Sequence, residues 1–90
     1  MSEHHELPID GILDLHLFNP KEIKDLVPDY IEACIDKQIF SIRIIHGKGT
    51  GTLRRTVHSI LDKHADVLTY RLADDQSSWG ATLVELRMPH

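Results

Sequence analysis

Three glycines at alternate positions, Gly47, Gly49 and Gly51, separate two segments of different periodicity. Residues 39–46 are rich in isoleucine and predict a strand. Residues 52–63 repeat apolar side chains at helical spacing and predict a helix. Because glycine favours neither element, the residues between them predict a loop that joins the strand directly to the helix. Such a strand–loop–helix unit is typical of α/β folds.

The rest of the chain continues this alternation of strands and helices. A first helix is predicted after Asn19, which can cap it, and Pro20, which suits the first helical position. Pro28 lacks an N–H inside this helix, so we expect a kink or two short helices near Val27. The other predicted strands are residues 12–16, 67–72 and 80–88, the last two joined as a hairpin by a turn at 73–79.

The order β-α-β-α-β-β predicts an α/β two-layer sandwich, with two helices packed on a four-stranded mixed sheet. The first two crossovers should be parallel and right-handed. A chain of 90 residues has room for one such domain. We place the domain at residues 10–90, after a flexible lead-in at residues 1–9.

Several features indicate a cytoplasmic protein. No apolar run approaches the length of a membrane span, and the polar, acidic N-terminus lacks the apolar stretch of a signal peptide. Cys34 is the sole cysteine, so it cannot form an internal disulfide. We therefore expect no membrane partner, and the sequence leaves the oligomeric state open.

The charges are distributed unevenly. The net charge is −4, yet residues 41–64 carry five basic side chains and one acid, whereas the other residues carry five basic and thirteen acidic side chains. A basic segment on an acidic body predicts one local anion-binding face rather than a protein that coats nucleic acid indiscriminately.

The glycine loop predicts a phosphate site, because its backbone can approach a ligand and the next helix directs free N–H groups to the same place. Arg54 and Arg55 lie in the first turn of that helix, where a cation opposes the helix dipole unless an anion binds there. The alternative for the loop is a tight turn without a ligand, and for Arg55 a side chain extended into solvent. The loop matches neither GxxxxGK[ST] nor GxGxxG, so no nucleotide cofactor is expected.

Asp14 and His16 lie two residues apart at the end of the first predicted strand. On a strand they share a face, and a carboxylate beside an imidazole orients the ring for general acid–base work. The alternative is a buried hydrogen bond that only holds the strand. His46 ends the second strand, so we expect all three side chains at one end of the sheet. They could bind a metal, but no motif such as HExxH supports one.

Other candidates have simpler interpretations. Trp79 could stack on a base but is expected to pack over the hairpin. Cys34 is expected in the core, His58 and His64 on the surface of the second helix, and His4 and His5 in a solvated tail.

The motif Leu13-Asp14-Leu15-His16 is followed about 30 residues later by Ile45-His46-Gly47-Lys48-Gly49-Thr50-Gly51-Thr52-Leu53-Arg54. This pair of motifs, with the closing segment at 80–86, resembles the Smr (small MutS-related) domain over roughly residues 10–88. The resemblance implies a fold similar to the C-terminal domain of bacterial translation initiation factor three. It also implies an endonuclease that nicks DNA or cleaves RNA.

On this chain the implied catalytic residues are Asp14, His16 and Arg54. The predicted phosphate-binding residues are His46, Gly47, Lys48, Gly49, Thr50, Gly51, Arg54 and Arg55. The resemblance has one departure: Leu17 stands where the family usually has glycine, at the mouth of the site.

The predicted partner is therefore RNA or DNA. With RNA the 2′-hydroxyl can attack and no metal is needed, whereas DNA requires attack by water and favours a divalent cation, Mg²⁺ or Mn²⁺. The alternative is a non-catalytic module that docks on nucleic acid or a ribosome. An enzyme needs both Asp14 and His16, and a docking module needs neither.

Overall fold

A computed structural model describes residues 9–47, 51–73 and 80–88. The predictions for Lys48, Gly49, Thr50, Trp79 and the histidines near the N-terminus lie outside these residues. The elements, in chain order, are β1 (Ile12–Asp14), α1 (Ile23–Asp36), β2 (Ser41–Ile45), α2 (Thr52–Lys63), β3 (Val67–Leu72) and β4 (Ala81–Leu86). Short 3₁₀ turns at Leu15–Leu17 and Pro20–Glu22 lie between β1 and α1.

The sheet is mixed, with strand order β1-β2-β4-β3. β1 is parallel to β2, and β4 is antiparallel to both of its neighbours, β2 and β3. The predicted mixed sheet and the β3–β4 hairpin are confirmed. β2 and β3 run in the same direction with β4 between them, so the second crossover joins parallel strands that are not neighbours.

Both helices lie on the sheet as one layer and pack against each other. Each helix follows a strand that ends at the same edge of the sheet, where β1 and β2 terminate. Both α1 and α2 therefore begin near the end of the sheet where β1 and β2 terminate. This arrangement brings the loop after β2, the turn after β1 and two helix dipoles to one side of the molecule.

Side chains from all layers fill one core. β2 alternates buried Ile42 and Ile44 with less buried neighbours, as a half-covered strand does. The fully buried side chains from the helices are Ile23, Val27, Ile31, Cys34, Val57 and Leu61. Burial of an aliphatic side chain of this size stabilises the fold by about 1.5–3 kcal/mol. Neither helix in the described ranges is long and apolar enough to cross a bilayer.

Two local predictions are wrong. The first strand ends at Asp14 rather than at His16, because the residues that follow turn into a 3₁₀ turn. Of the two outcomes expected at Pro28, a kink or two short helices, the second is wrong, because α1 is one helix through this residue. Pro28 deprives only the Lys24 carbonyl of its helical partner, and both residues line an open groove where water can reach that carbonyl.

Tyr30 fastens the edge strand β1 to α1. Its hydroxyl accepts a hydrogen bond from the Gly11 N–H and donates one to the Ile12 carbonyl, both at 3.1 Å. The side chain is almost wholly buried, and this burial raises the pKa of Tyr30 to about 12. β1 pairs with one strand over three residues, so these two bonds are a large part of what holds it.

We expect Tyr30→Phe to lower the free energy of unfolding by about 1–3 kcal/mol, because it leaves a buried N–H and a carbonyl without their partner. Urea denaturation measures this loss. Tyr70→Phe is the matched control, since it removes a hydroxyl that donates to Asp62 at a solvent-exposed position. Equal losses in the two variants would contradict a special role for Tyr30.

Candidate phosphate-binding site

One carboxylate ends β1 and orients a histidine. The Asp14 Oδ1 atom accepts a hydrogen bond from the His16 backbone N–H at 2.9 Å and lies 2.9 Å from His16 Nδ1. Asp14 and His16 are brought together by the 3₁₀ turn at Leu15–Leu17, not by the alternation of side chains along a strand. Its side chains are 59% (His16) and 43% (Asp14) exposed, so it is not a buried bond that only holds the strand. With Nδ1–H directed at the carboxylate, Nε2 is left as the free nitrogen.

The free nitrogen of His16 lies against the beginning of the glycine loop. A Cβ atom at Gly47 would stand 2.8 Å from Nε2 of His16, and Gly47 has a φ of +80°, so a side chain here would both clash and strain the backbone. Glycine is what lets the histidine reach the loop. The predicted convergence of the two strand ends is confirmed.

The other end of the loop holds Arg54 in a similar way. Gly51 caps α2 with a φ of +87°, and a Cβ there would lie 3.0 Å from a guanidinium nitrogen of Arg54. Arg54 thus folds back over the N-terminus of its own helix, where the positive end of the helix dipole attracts an anion. Arg55 is exposed and lines a groove on another side of α2. The two arginines, which are neighbours in the sequence, therefore lie on different surfaces.

His46 lies beneath the loop rather than at its surface. It is 4% exposed, its Nδ1 is 3.1 Å from the Gly47 carbonyl, and its Nε2 is 2.8 Å from Thr82 Oγ1. Both ring nitrogens are engaged within the protein. His46 was predicted to contact phosphate, but a buried ring with both nitrogens engaged cannot do so as folded. Its position suits a residue that holds Gly47 in place.

Thr82 and His58 are part of the site, and the sequence interpretation missed both. His58 was expected on the surface, but its Nε2 lies 2.8 Å from Thr82 Oγ1 and its ring packs 4.8 Å from that of Tyr70. A threonine in the inward register of β4, two residues before Val84, was the available signal. His64 follows α2 and accepts a hydrogen bond from the Asp66 N–H, so it too is not a plain surface residue.

The hydrogen bonds define a direction through this cluster. The Gly47 carbonyl can only accept, so His46 Nδ1 carries the hydrogen. Burial lowers the pKa of His46, which favours a neutral ring whose Nε2 accepts from the Thr82 hydroxyl. Thr82 Oγ1 then accepts from His58 Nε2–H. The chain of donors runs from α2 through β4 to the glycine loop.

Within the described ranges, no three His, Cys, Asp or Glu side chains are grouped as a metal site would require. Asp14 and His16 could contribute to an ion only together with ligands from water or substrate. The described residues of the site form a polar, hydrogen-bonding surface, with an oriented imidazole at one end of the loop and a guanidinium at the other.

We expect the free energy of unfolding to fall as the pH drops from about 7.5 to about 5.5. Burial lowers the pKa of both His46 and His58, with Arg54 contributing to each. The unfolded chain, with histidine pKa values of about 6.5, then binds more protons in this range, so stability must rise with pH. Urea denaturation at several pH values measures the slope.

His58→Gln is the informative variant for this prediction, because it leaves His46 as the one buried histidine of the pair. We expect a shallower dependence on pH. An unchanged slope would show that His58 is not held neutral by the fold.

Known proteins resemble this chain in sequence and in fold. A family model described as "Smr domain" matches residues 13–87. Two relatives named "Endonuclease MutS2" are 32% identical over 84 residues (Clostridium botulinum, strain Eklund 17B / Type B) and 43% identical over 80 residues (Halothermothrix orenii). They cover 92% and 88% of this chain, but the chain spans 11% and 10% of their lengths.

Solved structures show the same fold. The Smr domain of Thermus thermophilus MutS2 superposes with a TM-score of 0.79 at 28% identity, covering 87% of this chain and 99% of that one. The stand-alone small MutS-related protein YdaL from Escherichia coli superposes with a TM-score of 0.78 at 27% identity, covering 86% and 64%. With a family match over most of its length and these structural neighbours, the chain belongs to the Smr domain family.

Proposed function

We propose that this domain is an endonuclease that cleaves phosphodiester bonds in RNA or DNA. The observation that carries the proposal is the contact between the free Nε2 of His16 and the Gly47 end of the loop, with Nδ1 held by Asp14. An imidazole held in this way is placed to move a proton beside a phosphate bound at the loop. The name "Endonuclease MutS2" of the relatives supports the same chemistry, although this chain matches only about a tenth of their length.

The phosphate binds between the two ends of the loop. N–H groups in the first turn of α2 and the Arg54 guanidinium donate to its oxygens, and charge-assisted bonds of this kind are stronger than neutral ones. Lys48 is proposed to add a second positive charge from within the loop. As the reaction proceeds, negative charge accumulates on the phosphate, and these groups stabilise it.

His16 then moves the proton. With RNA, Nε2 takes the proton of the 2′-hydroxyl while its oxygen bonds to phosphorus, and the bond from phosphorus to the 5′-oxygen breaks. The leaving oxygen needs a proton, which a protonated imidazole supplies. Asp14 stabilises the imidazolium and keeps the ring in one tautomer. His16 thus acts first as base and then as acid, and the net result is that a proton passes from the 2′-oxygen to the 5′-oxygen.

DNA changes the requirements, because it lacks the 2′-hydroxyl. Water must attack, and a divalent ion such as Mg²⁺ or Mn²⁺ is the usual source of a stronger nucleophile. Incubation of the pure protein with labelled RNA and labelled DNA, with and without EDTA, separates these substrates and their metal dependence.

The second candidate function is a docking module that binds nucleic acid or a ribosome and does not cleave. One observation favours it: Leu17 is 77% exposed in the same 3₁₀ turn as His16. A large apolar side chain beside the free imidazole can keep a strand from approaching closely. It also suits a contact with another macromolecule.

We expect His16→Ala to reduce cleavage by roughly 10²–10⁴-fold with little change in binding, since it removes the proton carrier and leaves the phosphate contacts. Arg54→Ala should weaken binding and cleavage together, because its charge meets the phosphate before and during reaction. Single-turnover cleavage and fluorescence anisotropy measure the two quantities separately.

Asp14→Asn should reduce cleavage no more than His16→Ala does, since it disturbs the ring without removing it. Asp10→Asn is the matched control, because Asp10 accepts a hydrogen bond from the N–H two residues on, at the other end of β1. A wild type that binds RNA and DNA yet cleaves neither, across pH and with or without divalent ions, would leave the docking module as the function.

We expect Leu17→Gly to raise the cleavage rate if the side chain obstructs the strand. Leu17→Ala separates the two possible causes, because it shortens the side chain without adding the backbone freedom of glycine. An equal gain in both variants identifies side-chain bulk as the obstacle. No gain in either variant would show that Leu17 does not limit access to His16.

A further inference from the structure

A groove of about 630 Å³ runs between α1 and α2, outside the site described above. Its walls carry cations and hydroxyl groups over an apolar floor. The lining residues are Lys24, Pro28, Thr52, Arg55, Thr56, Ser59, Ile60, Lys63 and His64. None of them is a carboxylate, although the chain as a whole has a net charge of −4.

The charges around the groove are segregated by helical position. On α2, Arg55, Ser59 and Lys63 follow each other at intervals of four and share one face. The acids of α1 recur at intervals of three and four on another face, Asp25, Asp29, Glu32 and Asp36. Basic residues clustered along one helix face are the electrostatic pattern of a nucleic-acid contact.

Two of these cations stand where a helix alone would not favour them. Lys24 and Arg55 lie in the first turns of α1 and α2, where a positive charge opposes the dipole by several tenths of a kcal/mol. In the part of the chain that the structure describes, neither they nor Lys63 pairs with a carboxylate. A bound anion would turn this unfavourable placement into a favourable one.

The groove begins at the N-terminus of α2, where the glycine loop ends. Thr52 and Arg55 line it, and they follow Gly51, the cap against which Arg54 folds, by one and four residues. The N-terminus of α2 therefore belongs to both surfaces. A strand whose phosphate lies at the loop meets the groove at once, which an unrelated acidic peptide would have no reason to do.

The lining residues also indicate which part of a nucleic acid is bound. The nine include no phenylalanine, tyrosine or tryptophan, so His64 at one end of the groove is the one ring among them on which a base could stack. Lysine, arginine, serine and threonine are the side chains that contact phosphate and sugar. The face from Thr52 to Lys63 is about 16 Å long, from the rise of an α-helix, which is enough for several nucleotides of one strand.

We propose that this groove binds the sugar–phosphate backbone of the single strand that flanks the phosphate at the loop, without regard to sequence. The proposal rests on the proposed function for the location of that phosphate. It assigns Lys24, Arg55 and Lys63 to substrate retention, at a distance from the reacting atoms.

The test is the salt dependence of binding to a labelled single-stranded 12-mer, measured by anisotropy between about 50 and 200 mM salt. The pair Lys63→Ala and Lys37→Ala is matched: each removes one exposed lysine from the C-terminal end of a helix, and both give the same net charge. Of these two lysines, Lys63 lines the groove and Lys37 does not. Lys63→Ala should flatten the slope of log affinity against log salt by about 0.7, and Lys37→Ala should not.

The double variant Lys24→Ala/Lys63→Ala should flatten the slope by about 1.4, equally for 12-mers of different sequence. Equal slopes for Lys63→Ala and Lys37→Ala would overturn the proposal that the groove binds the backbone, even if cleavage depends on His16. If Lys63→Ala flattens the slope but the wild type cleaves neither RNA nor DNA, backbone binding in the groove is supported and the endonuclease proposal fails.

Discussion

The geometry of the site depends on the carboxylate of Asp14. By accepting the backbone N–H of His16 it ends β1 after three residues, and by accepting the ring N–H it directs Nε2 away from itself. Had β1 continued as a strand, His16 would have stood perpendicular to the sheet, farther from the neighbouring loop. Tyr30 holds the same strand at its other end, so a very short strand is fastened on both sides and can position a reactive side chain.

A second set of interactions supports the loop from below. The hydroxyl of Thr82 joins two histidines from different elements, and one of them, His46, donates to the carbonyl of Gly47. No buried side-chain polar atom in the described ranges lacks a partner. A satisfied polar network of this kind specifies one arrangement of a small core. The loop is thus held at Gly47 by hydrogen bonds. Because Gly47 and Gly51 lack side chains, His16 can approach the first and Arg54 the second.

The sequence predicted the fold because its strongest signals are local: periodicity in α2, β-branched runs and glycines between them. It predicted Arg54 beside the end of the glycine loop for the same reason, since Gly51 and Arg54 are close along the chain. It did not predict the Thr82–His58 contact, which joins residues 24 positions apart and depends on β4 lying between β2 and β3. The strand alternation expected at His16 failed because one side-chain hydrogen bond outweighed β propensity over two residues.

The adjacent arginines show how an acidic protein can present cations on two different surfaces. Neighbouring residues on a helix point about 100° apart, so Arg54 reaches the loop while Arg55 faces the groove. Charges separated by more than about 8 Å of salt solution are largely screened from each other. Acids of α1 that lie farther than this from the groove would therefore oppose a phosphate there only weakly. They would lower the attraction of the rest of the surface for nucleic acid, which would confine the proposed binding to the surfaces that carry Arg54 and Arg55.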